Sequence, residues 1–257
     1  MALIPKHYID SVVSIGIRCK DNSIAWIGTG FFVHRRINEN TVLPFLVSNK
    51  HVLEYNPDVV IRMKEMTKAQ LIEIDLKIER LKCHPHADIA AAMLPGSYIE
   101  QNHLNFKSFD VDTDSYSSIE LRDNGADEGS LVYMLGFPMG LVNVNSGLPI
   151  CRMGCIARIS EEQIQENGDV LLDIQNFPGN SGSPVVNRVE AIAIEGTKAL
   201  GRCVLIGIIH AYIPYQEKLV NMQTQNVLEI RSENSGIALM HPVEFIREVI
   251  DLFYKKQ

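Results

Sequence analysis

Residues 173–187 read DIQNFPGNSGSPVVN, in which Ser181, bracketed by Gly179 and Gly182, follows a turn and precedes an apolar strand. Glycine lets the backbone adopt conformations closed to other residues and keeps side chains away from a reacting atom. In such a loop the N–H groups of Gly179 and Ser181 can be aimed at one point, forming an oxyanion hole beside the Ser181 hydroxyl. Clusters of Gly, Ser, Asn and Pro also make plain turns. The rest of the chain must therefore supply the partners of a nucleophile.

A serine hydroxyl near neutral pH needs an adjacent base, normally histidine, that is itself oriented by a carboxylate. Upstream, LVSNKHVL places His51 at the end of an apolar strand, and HPHADIAAAML places Asp88 just before another. Strand ends and the loops beside them are where a rigid scaffold presents catalytic groups. Alone, each residue reads as easily as a structural histidine or a turn aspartate. The order His51, Asp88, Ser181 along one chain is what gives the three their meaning together.

Outward from these motifs, most apolar segments are short, rich in Val, Ile, Leu and Phe, and separated by turn residues, the pattern of strands that close into barrels or sandwiches. Strands are expected over 11–18, 25–34, 42–48, 59–63, 71–76 and 90–94, and again over 131–136, 150–159, 170–174, 183–187, 203–212 and 236–240. Between the halves, 107–129 carries many acids and few large apolar groups and reads as a solvated connector. After Pro242, Val243, Phe245, Ile246, Val249, Ile250 and Phe253 recur at helical spacing, with Lys255 and Lys256 suited to the helix's negative end. The expectation is an all-β protein: an amino-terminal unit over 1–106 with His51 and Asp88, the connector 107–129, a second unit over 130–240 with Ser181, and a helix over 241–257.

The chain of 257 residues is 46% apolar and 21% charged, the balance of a compact globule, and its net charge of −7 leaves no basic footprint for nucleic acid. Lys6, His7 and Asp10 interrupt the amino-terminal apolar stretch, so no secretory signal is read there, and no apolar run approaches the ~18 residues that span a bilayer. Five scattered cysteines, Cys19, Cys83, Cys151, Cys155 and Cys203, read as reduced thiols and not as a disulfide framework. Cys151 and Cys155 lack a second pair that would complete a zinc site. A cytoplasmic protein without nucleic-acid or membrane partners is expected.

Taken together, SNKHVL, ADIA and PGNSGSP resemble the histidine, aspartate and serine motifs of the trypsin-fold (chymotrypsin-like, clan PA) serine peptidases, nearest the disulfide-free Deg/HtrA-type branch. GTGFFV, YMLGFPMGL and SGIALMHPVEFIREVI are similar to further stretches of that family, so the resemblance covers nearly the whole chain. It implies two six-stranded antiparallel β-barrels with the active site in the cleft between them and a C-terminal α-helix. It also implies a serine endopeptidase that acts on protein or peptide substrates without cofactor or metal. In that scheme Ser181 is the nucleophile, His51 the general base and Asp88 the orienting carboxylate, with Gly179 and Ser181 forming the oxyanion hole. The sequence departs from the family at Ser183, where a second glycine is common. The chain as read also carries no PDZ module after its terminal helix. Asn180 replaces the aspartate that pairs with a new amino terminus in zymogens, which implies no need for proteolytic activation.

Other readings compete. An α/β-hydrolase elbow needs a glycine where Ser183 stands, and alternating β/α segments. His84, His86 and Asp88 form an H-x-H-x-D run like that of metallo-β-lactamase-like hydrolases, but zinc needs three or four convergent ligands and Ile89 stands where a further histidine belongs. A latent or partner-gated binding module on the same fold is the alternative to an active enzyme, with a regulatory protein as partner. For specificity, the resemblance points to Gln175 and Asn176 at the base of the substrate pocket and to 205–212 as its wall. Strand alternation would put His210 and Tyr212 on one face. With no carboxylate at the base, cleavage after small or medium uncharged residues is expected and cleavage after Lys or Arg is not. Cleavage after glutamate through His210 is the runner-up.

Overall fold

The computed structural model describes residues 3–39, 41–64, 70–101, 104–142, 147–190, 192–193 and 198–255. Eight strands make the amino-terminal sheet: β1 (Val12–Arg18), β2 (Ile24–Asn38), β3 (Thr41–Ser48), β4 (Asp58–Lys64), β5 (Leu71–Lys77), β6 (Leu81–Cys83), β7 (Ala90–Met93) and the short β8 (Phe109–Asp110). Their order is β5-β4-β1-β2-β3-β7-β6, with β8 parallel to β2. Six more strands, β9 (Leu131–Gly136), β10 (Ile150–Arg158), β11 (Val170–Asp173), β12 (Pro184–Asn187), β13 (Leu205–Val220) and β14 (Val227–Pro242), close into a barrel in the order β10-β11-β14-β13-β12-β9. The all-β double-barrel class expected from sequence is the class adopted. The first unit is a curled sheet: its edge strands β5 and β6 are not paired with each other among the described residues.

Alternation along the strands sorts their apolar residues between three cores. In β2 and β3, Phe32 and Leu46 point into the first unit, while Phe31, Val33, Phe45 and Val47 point into a seam between the units. From the other side, Tyr133 and Leu135 of β9 and Val186 of β12 enter the same seam, and Val132, Met134 and Val185 fill the second barrel. Each large side chain fully buried this way contributes about 1.5–3 kcal/mol. That fixes the two units against each other.

The terminal helix α6 (Val243–Asp251; α1 to α5 precede it) starts at Pro242 and seals the seam with Val243, Ile246, Val249 and Ile250. Phe253 and Lys255 lie beyond its last turn, and Lys256 lies outside the described residues.

Helix is more frequent than the apolar pattern suggested. The short helix α1 (Lys6–Asp10) precedes β1, and α2 (Lys50–Leu53), α3 (Gly96–Gln101), α4 (Ser118–Asp123) and α5 (Glu161–Asn167) lie in connections. The expected connector contains α4, started by a capping box in which Ser117 and Glu120 satisfy each other's backbone N–H groups, with Leu121 buried beneath it. The other difference is β13 and β14, which run on past the barrel as an exposed ribbon paired from Pro214–Asn234 to Val220–Val227.

Candidate active site

Ser181 sits in a turn held by backbone bonds. Asn180 N donates to Phe177 O at 3.0 Å, Ser183 N to Asn180 O at 2.9 Å, and Gly182 N to Ile209 O at 2.9 Å. Gly182 has φ +87°, and a Cβ there would lie 2.0 Å from the Thr29 carbonyl oxygen. Gly179 has φ +96°, and its Cβ would lie 2.4 Å from the Phe137 oxygen. Both positions need glycine for conformation and for space. Thr29, fully buried in β2, receives this loop: its N–H donates to Ser181 O at 2.8 Å and its hydroxyl to Gly179 O at 2.7 Å, while accepting from Phe137 N at 3.1 Å. With both carbonyls occupied, the Gly179 and Ser181 N–H groups are left without an acceptor among the described residues. Two unpaired backbone donors, separated by one residue, thus stand beside the Ser181 hydroxyl.

The opposite wall is built around Asp88. Its carboxylate accepts from His51 Nδ1 at 2.6 Å and from His51 N at 3.0 Å, which fixes the imidazole against one oxygen and the start of α2 against the other. Asn49, fully buried, donates from Nδ2 to Asp88 O at 2.8 Å, and Asp88 N donates to His241 Nε2 at 3.1 Å. Every polar group of Asp88 thus has a partner. Burial pushes its carboxyl pKa up, but the hydrogen bonds from His51 and the charges of His51 and His210 outweigh burial and hold it below the usual carboxylate range. The carboxylate is thus held as an anion against the imidazole.

The two walls meet at Gly28, where a Cβ would lie 3.0 Å from Val52, the neighbour of His51, and 3.2 Å from the Ser181 oxygen. Half of the His51 side chain is open to solvent. Among the described residues the Ser181 hydroxyl makes no hydrogen bond, to His51 Nε2 or elsewhere. Ser183 is fully buried, with its hydroxyl facing Gly136 and unpartnered, whereas Ser181 is partly exposed.

The H-x-H-x-D run does not converge. His84 is buried, with Nδ1 accepting from Ala87 N at 2.8 Å and Nε2 bonded to Glu248 at 2.8 Å; the exposed His86 ring is 6.3 Å away, and Asp88 is committed to His51.

The titratable groups that do cluster are Asp169, His210 and His241. His210 Nε2 donates to Asp169 Oδ1 at 2.7 Å, and His241 Nδ1 lies 2.8 Å from Gly168 O and 3.2 Å from the same Asp169 oxygen. Burial raises the Asp169 pKa, but these hydrogen bonds and the two imidazole charges lower it more. The rings of His210 and His241 are stacked, 3.8 Å apart and 2° from parallel. Their in-plane lone pairs run side by side and do not converge on one ion, and both nitrogens of His241 already have partners, so the group does not fit a metal.

This cluster also corrects the reading of the pocket wall. The β13–β14 register shifts between Ile209 and Ala211, leaving His210 as an extra residue, so simple alternation does not place His210 and Tyr212 on a common face. His210 points to Asp169, and Tyr212 is partly exposed. At the expected pocket base Gln175 is exposed, while Asn176 is buried and donates to Ala211 O at 2.9 Å. Thr29, Asn49, Asp169 and His241 were not singled out from sequence as parts of this site.

The chain belongs to the trypsin-like peptidase domain family, which it matches over residues 28–192. No curated protein matches. Among solved structures the chain is similar to the MamO protease domain from Magnetospirillum magneticum in its apo form, at 14% identity and a TM-score of 0.49 over 98% of each chain. Among the described residues no helix is long and apolar enough to cross a membrane.

Proposed function

We propose that this protein is a serine endopeptidase in which Ser181, His51 and Asp88 act together. The observation that carries the reading is the doubly bonded Asp88–His51 pair facing a Gly179–Ser181 turn whose two N–H groups are free. In that reading the Ser181 oxygen attacks a peptide carbonyl while His51 Nε2 takes its proton and then passes it to the departing amine. Asp88 keeps the Nδ1–H tautomer and stabilises the imidazolium. The Gly179 and Ser181 N–H groups hold the oxyanion of the tetrahedral intermediate, and water repeats the sequence to release the acyl group. Burial of Ser183 supports Ser181 as the nucleophile. Substrates are proteins or peptides, with uncharged side chains before the scissile bond. The Asn176–Ala211 contact supports a polar, uncharged pocket base. Five unpaired cysteines support a cytoplasmic location.

A latent form switched on by a regulatory partner is the second reading, favoured by the missing Ser181–His51 hydrogen bond. Catalytic hydrogen bonds in unliganded enzymes are often long and tighten only with substrate, which favours the active form. A fluorophosphonate probe decides between the two: rapid adduct formation at Ser181 in the isolated chain is expected. Labelling that requires an added protein supports the gated form, and no labelling of folded protein under either condition defeats the peptidase reading.

A further inference from the structure

The buried cluster behind Asp88 lies outside the three residues expected to react. His241 is the last residue but one of β14, in the second barrel, and is 5% exposed. Its protonation is fixed by its neighbours. Asp88 N is a backbone donor, so His241 Nε2 must be the acceptor of that bond; Gly168 O is an acceptor, so Nδ1 must carry the hydrogen. The Asp169 carboxylate, 3.2 Å from the same Nδ1, reinforces that tautomer, and His210 stacks over the ring while donating to Asp169. The Gly168 carbonyl is itself set by a left-handed residue, φ +73°, that ends α5.

This contact spans 153 residues and crosses from one unit to the other. Ser181 rides on the second barrel, and His51 and Asp88 ride on the first. His241 is thus a strut from the nucleophile's barrel to the backbone of the residue that orients the base.

We propose that His241, held in its Nδ1–H tautomer by Gly168 and Asp169, is a positioning residue that sets Asp88, and through it the His51 imidazole, in register with Ser181. The inference rests on the serine-peptidase reading of the cleft. If Asp88 N merely needed any acceptor to avoid burial unsatisfied, water could serve once the ring is removed. Positioning requires the acceptor at the Nε2 point, so His241→Leu should fail and His241→Gln, whose Oε1 can reach that point, should recover function.

The test uses the full chain. In protein labelled with ¹⁵N-histidine, His241 should show a protonated Nδ1 and an unprotonated, hydrogen-bonded Nε2 at neutral pH. The opposite tautomer or an imidazolium there would overturn the proposal without recourse to any variant. The His51 Nδ1 proton, in its short bond to Asp88, should give a downfield resonance that persists in Ser181→Ala. It should broaden or vanish in His241→Leu and return in His241→Gln. Fluorophosphonate labelling should fall about 10- to 100-fold in His241→Leu, with circular dichroism unchanged, and recover most of the loss in His241→Gln. An intact His51 resonance and labelling rate in His241→Leu would overturn the positioning role. Should His241→Leu not fold, His241→Gln and the wild-type tautomer carry the test. Absence of labelling in the wild type defeats the peptidase reading instead, and the His51 resonance still decides whether His241 governs the Asp88–His51 pair.

Discussion

The two walls of the cleft are built from different materials. The Ser181 wall is made of backbone: glycines at φ +96° and +87°, peptide bonds turned on themselves, and the Thr29 side chain gripping them. The Asp88 wall is made of side chains, with Asn49, His51 and His241 each meeting a different atom of Asp88. Backbone donors cannot titrate and, gripped through their neighbouring carbonyls, stay in place, which suits groups that must be set before charge develops. Side chains can be exchanged and can carry protons, which suits the wall that handles the proton.

The sharpest way to break this comparison is at the nucleophile. Ser181→Ala is expected to remove nearly all hydrolysis, by up to ~10⁶-fold if the three residues act as one unit. Ser183→Ala should keep substantial activity, because its hydroxyl is sealed against Gly136 away from the cleft. Mass spectrometry of the probe adduct and initial rates on an unstructured protein substrate read both. Equal inactivation by the two substitutions would remove the distinction on which the backbone wall rests.

If that wall depends on space, Gly182→Ala should damage it severely. The new methyl would lie 2.0 Å from Thr29 O and 2.3 Å from Ser48 Oγ, in a backbone conformation that L residues rarely adopt. Overpacking of this kind costs about 1–3 kcal/mol, with more to come from the left-handed φ. Urea unfolding should show a lower midpoint, and probe labelling should fall with it. Thr29→Val keeps the volume and deletes the hydroxyl that donates to Gly179 O and accepts from Phe137 N. A stability loss of about 1–3 kcal/mol is expected from those buried groups. Labelling should also slow, by about 10- to 100-fold, as the Gly179 N–H swings off its target. A Thr29→Val protein that labels at the wild-type rate would mean that the turn holds itself.

The same contrast explains what was legible. A wall made of glycines and local turns is written in consecutive residues, and PGNSGSP displayed it. The strands were legible because a sheet buried on both faces needs short apolar runs, as in 42–48 and 131–136. The capping box of α4 was also visible, as Ser117 and Glu120 at the right spacing, but the surrounding acids drew the reading toward a bare connector. His241 and Asp169 could not be read the same way. The meaning of His241 is a contact across 153 residues, and that of Asp169 a hydrogen bond to His210 on another strand, and only the folded register creates either. The bulge at His210 defeated the pocket wall for a related reason: period-two reasoning has no means of seeing one extra residue in a ladder.

The finest test of the side-chain wall, read from stability alone and not from labelling, comes from Asp169→Asn. Asp169 is buried and its folded pKa lies below the ordinary value, because the hydrogen bonds and charges of His210 and His241 outweigh desolvation. A carboxyl with a depressed folded pKa binds fewer protons in the native state than in the unfolded one, so stability rises with pH between the two values. Its contribution is therefore present above the unfolded value near pH 4 and is lost as pH falls through the folded one. Losing charge-assisted hydrogen bonds of this kind costs about 1.5–3 kcal/mol. Urea titrations at neutral pH should show Asp169→Asn less stable by roughly that amount, with the gap narrowing steadily in acid below about pH 4. Asp88 also has a depressed pKa, but it titrates in both proteins and cancels from the difference. A gap that stays constant through acid would mean that the carboxylate charge contributes nothing and that the imidazoles are held by packing alone.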